Sequence, residues 1–294
     1  MVFLSLKHFI LKNIHGNRML FFHVTKSAGT SLSAYLRPHF NEKQIKIIKI
    51  GDFQNTDFNA ALKHFSYIQG HFSFYHFNKK QREFKDAYKL TVLREPVSRM
   101  ISSYRYGKAN ALYALSQAGG SVSDLPKYYS SFLDFSEHTK WVFGFEQLRQ
   151  FCNSEIYQPC EDDLLTAKSN LNLLDFIGFT ESFKHDLSWL AESVGATKKL
   201  VSKNLSKNKT DDYFSQKSGE INLASMIEKV ELGARELNYV REKIKLEIDF
   251  YEFAKELYRQ KAMLRGKEFT KINLARIRMG KKERFLSFLN AKIK

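Results

Sequence analysis

The stretch "FFHVTKSAGTSL", Phe21 to Leu32, changes character midway. The run "MLFFHV" from Met19 is apolar and short, as a buried strand of a parallel sheet requires, and Leu32, Tyr35 and Leu36 follow at helical spacing. Between them lie Lys26 and a turn of small residues: Ser27, Ala28, Gly29, Thr30 and Ser31. A strand that turns into a helix brings backbone N–H groups and a helix N-terminus to one point, which suits an anion. Two uses are open to the turn. Thr30 or Ser31 caps the helix, as Ser and Thr ordinarily do, or Ser27 to Ser31 wrap a phosphate with Lys26 supplying charge. The common nucleoside-triphosphate loop, GxxxxGK[ST], puts its lysine after the last glycine. Here Lys26 precedes Gly29, which removes most support for a kinase or ATPase.

The pattern recurs along the chain. "FSYIQGHFSF" (Phe65 to Phe74) alternates like a strand, and "YKLTVLREP" (Tyr88 to Pro96) is a strand stopped by proline, with Pro96 opening the helix "VSRMISSYRYGK". Ala109 to Trp141, with Gly119 to Ser121 inside it, reads as a mobile loop. "LLTAKSNLNLL" is helical, "DFIGFT" (Asp175 to Thr180) is a short strand, and "SFKHDLSWLAESVG" is a helix stopped by Gly195. Alternating strands and helices imply an α/β fold of three layers, a central parallel sheet flanked by helices, with a helix-rich last third.

Arg94 ends a strand that reads as buried, a costly place for a guanidinium unless it meets an anion, and Ser102 lies about two helical turns past Pro96. Arg99 is either a second guanidinium for that anion or a solvated residue of the helix face.

A chain of 294 residues with 4 Pro and 14 Gly and no flexible linker favours one main domain. We expect a lead-in over residues 1–18, the main domain over 19–258 and a basic helical tail over 259–294. The net charge of +16 points to a polyanionic partner, but the tail alone holds twelve Lys/Arg against two Glu. That tail is suited to an anionic membrane surface or an acidic glycan, or packs as a solvated terminal helix. No nucleic-acid motif is present, so no nucleic-acid partner is expected. "MVFLSLKHFILK" is too short and too charged to span a bilayer and lacks a cleavage site. Cys152 and Cys160 are too few for a disulfide scaffold. A reduced, cytoplasmic setting is expected, with peripheral membrane contact through the tail.

"HVTKSAGTSL" resembles the 5′-phosphosulfate loop, roughly HxPKTAGTSL, of the carbohydrate sulfotransferases that use 3′-phosphoadenosine 5′-phosphosulfate (PAPS). "LREPVSRMISSY" (Leu93 to Tyr104) resembles their second signature, in which an arginine at a strand end and a serine eight residues on hold the 3′-phosphate. "YIQGHFSF" is similar to the YHGHVSY of the heparan sulfate 2-O-sulfotransferases. "FIGFTESFKHDLSWLAESVG" and "LEIDFYEFAKELY" resemble two later segments of the family, so the likeness covers about residues 19–258. It implies a phosphate-loop-like fold, PAPS as co-substrate, no metal, and a carbohydrate acceptor. The donor-binding residues it implies are Lys26, Ser27, Ala28, Gly29, Thr30, Ser31, Arg94 and Ser102.

The resemblance also implies roles in an in-line displacement resembling phosphoryl transfer. Lys26 stabilises the leaving oxygen and His71 is the general base, its imidazole titrating near operating pH. A lone histidine is otherwise a core or capping residue. His23 is expected to support the loop by hydrogen bonding. Phe72, Phe74 and Tyr75 are either a stacking platform for sugar or part of the core. "SKNLSKNKT" (Ser202 to Thr210) stands where relatives close a basic loop, or is a solvated loop. Two departures stand out: Thr25 replaces the usual proline, and Gln69 replaces the first histidine of the 2-O pair. The spacing of Cys152 and Cys160 matches a disulfide of those enzymes, although free thiols fit the reduced setting better. The alternative reading is a catalytically silent binder of a 3′,5′-bisphosphorylated nucleotide or polyanion.

Overall fold

The computed structural model of the protein describes residues 18–49, 52, 56–152, 158–193 and 229–263. Its sheet has five strands, β1 (Met19–Phe22), β2 (Ile45–Ile48), β3 (Tyr67–Gly70), β4 (Tyr88–Leu93) and β5 (Phe176–Phe179). All neighbours are parallel, in the order β2-β3-β1-β4-β5. The helices are α1 (Gly29–Leu36), α2 (Phe58–His64), α3 (Arg82–Asp86), α4 (Pro96–Gln117), α5 (Phe132–His138), α6 (Glu146–Phe151), α7 (Glu161–Asn172), α8 (Phe183–Ser193) and α9 (Ala234–Lys243).

Every residue of β1 is buried because helices cover both faces of the sheet. On one face Met19 and Phe21 pack with Leu32 and Leu36 of α1 and Leu187 and Leu190 of α8. On the other, the Phe22 ring stacks on Phe74 at 4.3 Å and meets Phe72 and Phe77 edge-on, with Phe151 of α6 at 5.8 Å. Phe58 and Phe84 extend this aromatic layer. Phe72 and Phe74 are therefore core rather than a sugar platform; of the three aromatics considered, Tyr75 alone is exposed, at 64%.

The strands expected at Met19, Phe65, Tyr88 and Asp175 all form, each shorter than its apolar run. β2, at the sheet edge, was not expected. The stretch expected to be a mobile loop begins inside α4, which runs on to Gln117; Gly119 ends it by taking a positive φ of 73°. Residues 122–145 then form α5 and short 3₁₀ turns.

Packing divides the chain into two compact units, residues 1–252 and 253–294. In the first, residues 245–252 are helical; in the second, 253–263 are helical. Among the described residues no helix is long and apolar enough to cross a membrane. The lead-in before residue 18, Gly195, Ser202 to Thr210 and the tail from residue 264 lie outside the described residues. Cys152 is buried and Cys160 is exposed, and no disulfide joins them.

Candidate active site

β1 is the central strand, and the connections leaving β1 and β3 run in opposite directions across the sheet. A crevice therefore opens beyond the carboxyl ends of β1, β3 and β4. Three segments meet there: residues 23–31 after β1, His71 after β3, and Arg94 and Glu95 after β4.

The turn after β1 is bent by Lys26 at φ 59° and Ala28 at φ 57°, both in the left-handed region. For residues with a side chain this costs roughly 1–2 kcal/mol each, so other contacts must hold the turn. An Arg94 Nη donates to the Lys26 carbonyl at 3.2 Å. The Thr25 hydroxyl donates to Glu146 at the start of α6, which explains the residue that stands where proline is usual: a hydroxyl anchors the turn. Ala28 is the N-cap of α1 and provides no side-chain cap. Thr30 and Ser31 lie inside the first helical turn, so the capping role considered for them is not the one they have.

Gly29 is required by close approach. A Cβ there would lie 1.9 Å from the His23 ring, which packs against the glycine. His23 supports the turn through this ring contact, not through the expected hydrogen bond to the loop; its side-chain bond runs to Gln69 of β3. Gln69 Oε1 accepts from Ser33 Oγ at 2.5 Å and Tyr67 OH at 2.8 Å, so its amide nitrogen donates to His23 Nδ1 at 3.2 Å. Gln69 thereby fixes the His23 tautomer with its proton on Nε2. Burial, then the neighbouring His71, pushes the His23 pKa down to about 3, and this imidazole stays neutral.

The His71 ring lies 4.4 Å from that of His23. Its Nδ1 is buried without a hydrogen-bond partner. Burial lowers its pKa from the ordinary value, opposed by the His23 backbone and the Glu146 carboxylate. Lys26 Nζ sits 4.0 Å above the Tyr106 ring of α4, and burial, then Arg94, lowers its pKa to about 8. Lys26, Arg94 and the uncapped start of α1 thus form one cationic locus. Ser102 is half-buried on α4 and makes no hydrogen bond to that locus, but it precedes Tyr106 by four residues and shares its helix face.

A buried frame supports the locus, and sequence reasoning missed most of it. Arg99 is fully buried, neither an anion ligand nor a solvated face residue. Its Nη groups pair with Glu146 at 2.8 Å and approach the fully buried Glu247 at 3.7 Å, and one donates to the Phe143 carbonyl. Glu247 also accepts the amides of Gln147 and Leu148 at 3.1 and 2.9 Å. The Gln147 side chain bonds both backbone groups of Arg94, accepting from N at 2.8 Å and donating to O at 3.0 Å. Glu181, in the turn after β5, accepts from the Glu95 amide and the Tyr251 hydroxyl. Glu95 in turn caps α4 through the amides of Val97 and Ser98. In "FGFEQLRQF" nothing marks Glu146 and Gln147 as more than polar positions of a short helix.

The order and direction of the strands, with this loop at the central one, define an α/β fold of the phosphate-loop kind. The chain belongs to the sulfotransferase family: the family described as Sulfotransfer_2, Sulfotransferase family, matches residues 7–254. It is a PAPS-dependent sulfotransferase. Among solved structures, mouse sulfotransferase SULT7A1 complexed with PAP is similar at 12% identity over 86% of this chain and 95% of that one, with a TM-score of 0.40. That likeness adds nothing to the reading of the site. No curated protein matches the chain.

Proposed function

We propose that the protein transfers the sulfuryl group of PAPS to a carbohydrate hydroxyl, using His71 as general base and Lys26 at the leaving oxygen. The observation that carries this reading is the meeting of Lys26, Arg94 and the uncapped N-terminus of α1 beside a His71 imidazole whose Nδ1 has no hydrogen-bond partner. The loop amides from Ser27 to Ser31 receive the 5′-phosphate, and Arg94 with Ser102 receives the 3′-phosphate.

The acceptor oxygen attacks sulfur as the bond from sulfur to the bridging oxygen of the 5′-phosphate breaks. The hydroxyl proton passes to His71, and the charge that develops on the bridging oxygen is met by Lys26. His71 suits the task because burial keeps it neutral and able to accept a proton. A sugar acceptor is supported by the likeness of "GHFSF" to the 2-O class. Gln69 is committed to His23, so that class's first histidine has no counterpart at its own position.

The test is transfer of labelled sulfate from PAPS to a panel of glycans. Lys26→Ala is expected to lower kcat about 10²- to 10³-fold and His71→Ala about 10²- to 10⁴-fold, with folding intact by circular dichroism. Full activity in His71→Ala would reject the base assignment. Binding of the nucleotide without transfer to any glycan would favour a silent binder.

A further inference from the structure

Lys26 is a half-buried cation with no carboxylate within ion-pair distance of its Nζ among the described residues. The groups facing it are the guanidinium of Arg94 after β4, which repels it, and Tyr106 of α4, whose ring face lies 4.0 Å below Nζ. Glu146 of α6, the acid that binds the same turn, is committed to Thr25 and Arg99. The Lys26 backbone sits in the left-handed region with its carbonyl bound by Arg94, and the Tyr106 ring is the attractive contact of its ammonium. Tyr106 is 41% exposed, so burial of its own ring does not explain the residue.

We infer that Tyr106 is a positioning residue that parks the Lys26 ammonium on its ring in the donor-free enzyme and releases it to the anionic donor. A ring face suits this task better than a carboxylate. It orients a desolvated ammonium through its quadrupole, and it does not compete as a fixed negative charge for the site the sulfate must enter. A glutamate at position 106 would neutralise the lysine and repel the donor. Placement on α4 adds a link: Ser102, one turn earlier on the same face, is assigned to the 3′-phosphate, so one helix face carries a contact for each end of the nucleotide. This inference rests on the proposed role of Lys26 at the 5′-phosphosulfate.

The test reads the lysine directly. In the donor-free protein, NMR of ¹³C-lysine is expected to show one ε-methylene signal shifted upfield by a ring current. That signal should persist in Tyr106→Phe and vanish in Tyr106→Leu and in Lys26→Met. Adding 3′-phosphoadenosine 5′-phosphate (PAP) should return it to the ordinary lysine position as Nζ leaves the ring. In the transfer assay Tyr106→Leu should lose about tenfold in kcat/KM for PAPS, and Tyr106→Phe should stay within twofold of wild type. An upfield signal that survives in Tyr106→Leu, or that PAP leaves in place while binding, overturns the inference. If PAP does not bind at all, the donor assignment fails, and the ring-current signal in the free protein reports on the parked lysine independently.

Discussion

At the scale of single residues, the two groups assigned to the chemistry have opposite protonation needs. His71 must be neutral, and burial holds its pKa below the ordinary 6.5, so activity is lost only as pH falls beneath that value. Lys26 must be charged, and its pKa is lowered to about 8, so activity declines as pH rises through about 8. The kcat/KM profile for PAPS is therefore expected to be a bell with its plateau between those limbs. Lys26→Arg, which stays protonated, should remove the alkaline limb whatever its effect on the plateau. A profile with an unchanged alkaline limb in that variant would show that another group sets it. The convergence of these residues at the strand ends was legible because each stands at a marked position: a lysine before a glycine turn, an arginine at a strand end, a histidine after "QG". Arg99 was not legible, since a helical arginine three residues past a proline looks the same whether it meets solvent or the half-buried Glu146 and the buried Glu247.

At the scale of elements, α6 is the keystone, although it has only six residues. It contributes Glu146 to Thr25 and Arg99, Gln147 to the backbone of Arg94, and two amides to Glu247. Removing one member strands the others. Arg99→Met should cost about 3 to 5 kcal/mol in urea unfolding, because Glu247 then has no buried counter-charge, and Arg99→Met/Glu247→Leu should recover much of it. Thr25→Val removes a hydrogen bond to a charged acceptor and should cost about 1.5 to 3 kcal/mol. A loss below 1 kcal/mol in Arg99→Met would mean that water already reaches the cluster. The strand-turn-helix units were readable from hydrophobic period alone. β2 escaped notice although "IKIIKI" is rich in isoleucine, because its lysines dilute the apolar run of an edge strand. The length of α4 escaped because Gly119, Gly120 and the polar residues beyond them outweigh, over the stretch from Ala109, the short apolar face that Ala109 and Leu112 bury.

At the scale of the whole molecule, the fold exists to bring three strand ends together, and a ligand that spans them should stabilise all of it. PAP at about a hundred times its dissociation constant is expected to add about 2.7 kcal/mol to unfolding, read as a rise in Tm. ATP, which lacks the 3′-phosphate that Arg94 and Ser102 are proposed to hold, should add much less; equal shifts from the two nucleotides would argue against that assignment. The way Gln147 grips Arg94 has one more consequence. The grip is on the main chain and ignores the side chain, as a neighbouring strand would. β4 and the start of α4 therefore keep their places whatever side chain stands at 94, while the turn after β1, whose Lys26 carbonyl the guanidinium holds, does not. A descendant that lost the guanidinium would keep its sheet and its helices while the turn after β1 came loose, so a change at position 94 would be written in the loop and leave no scar in the sheet.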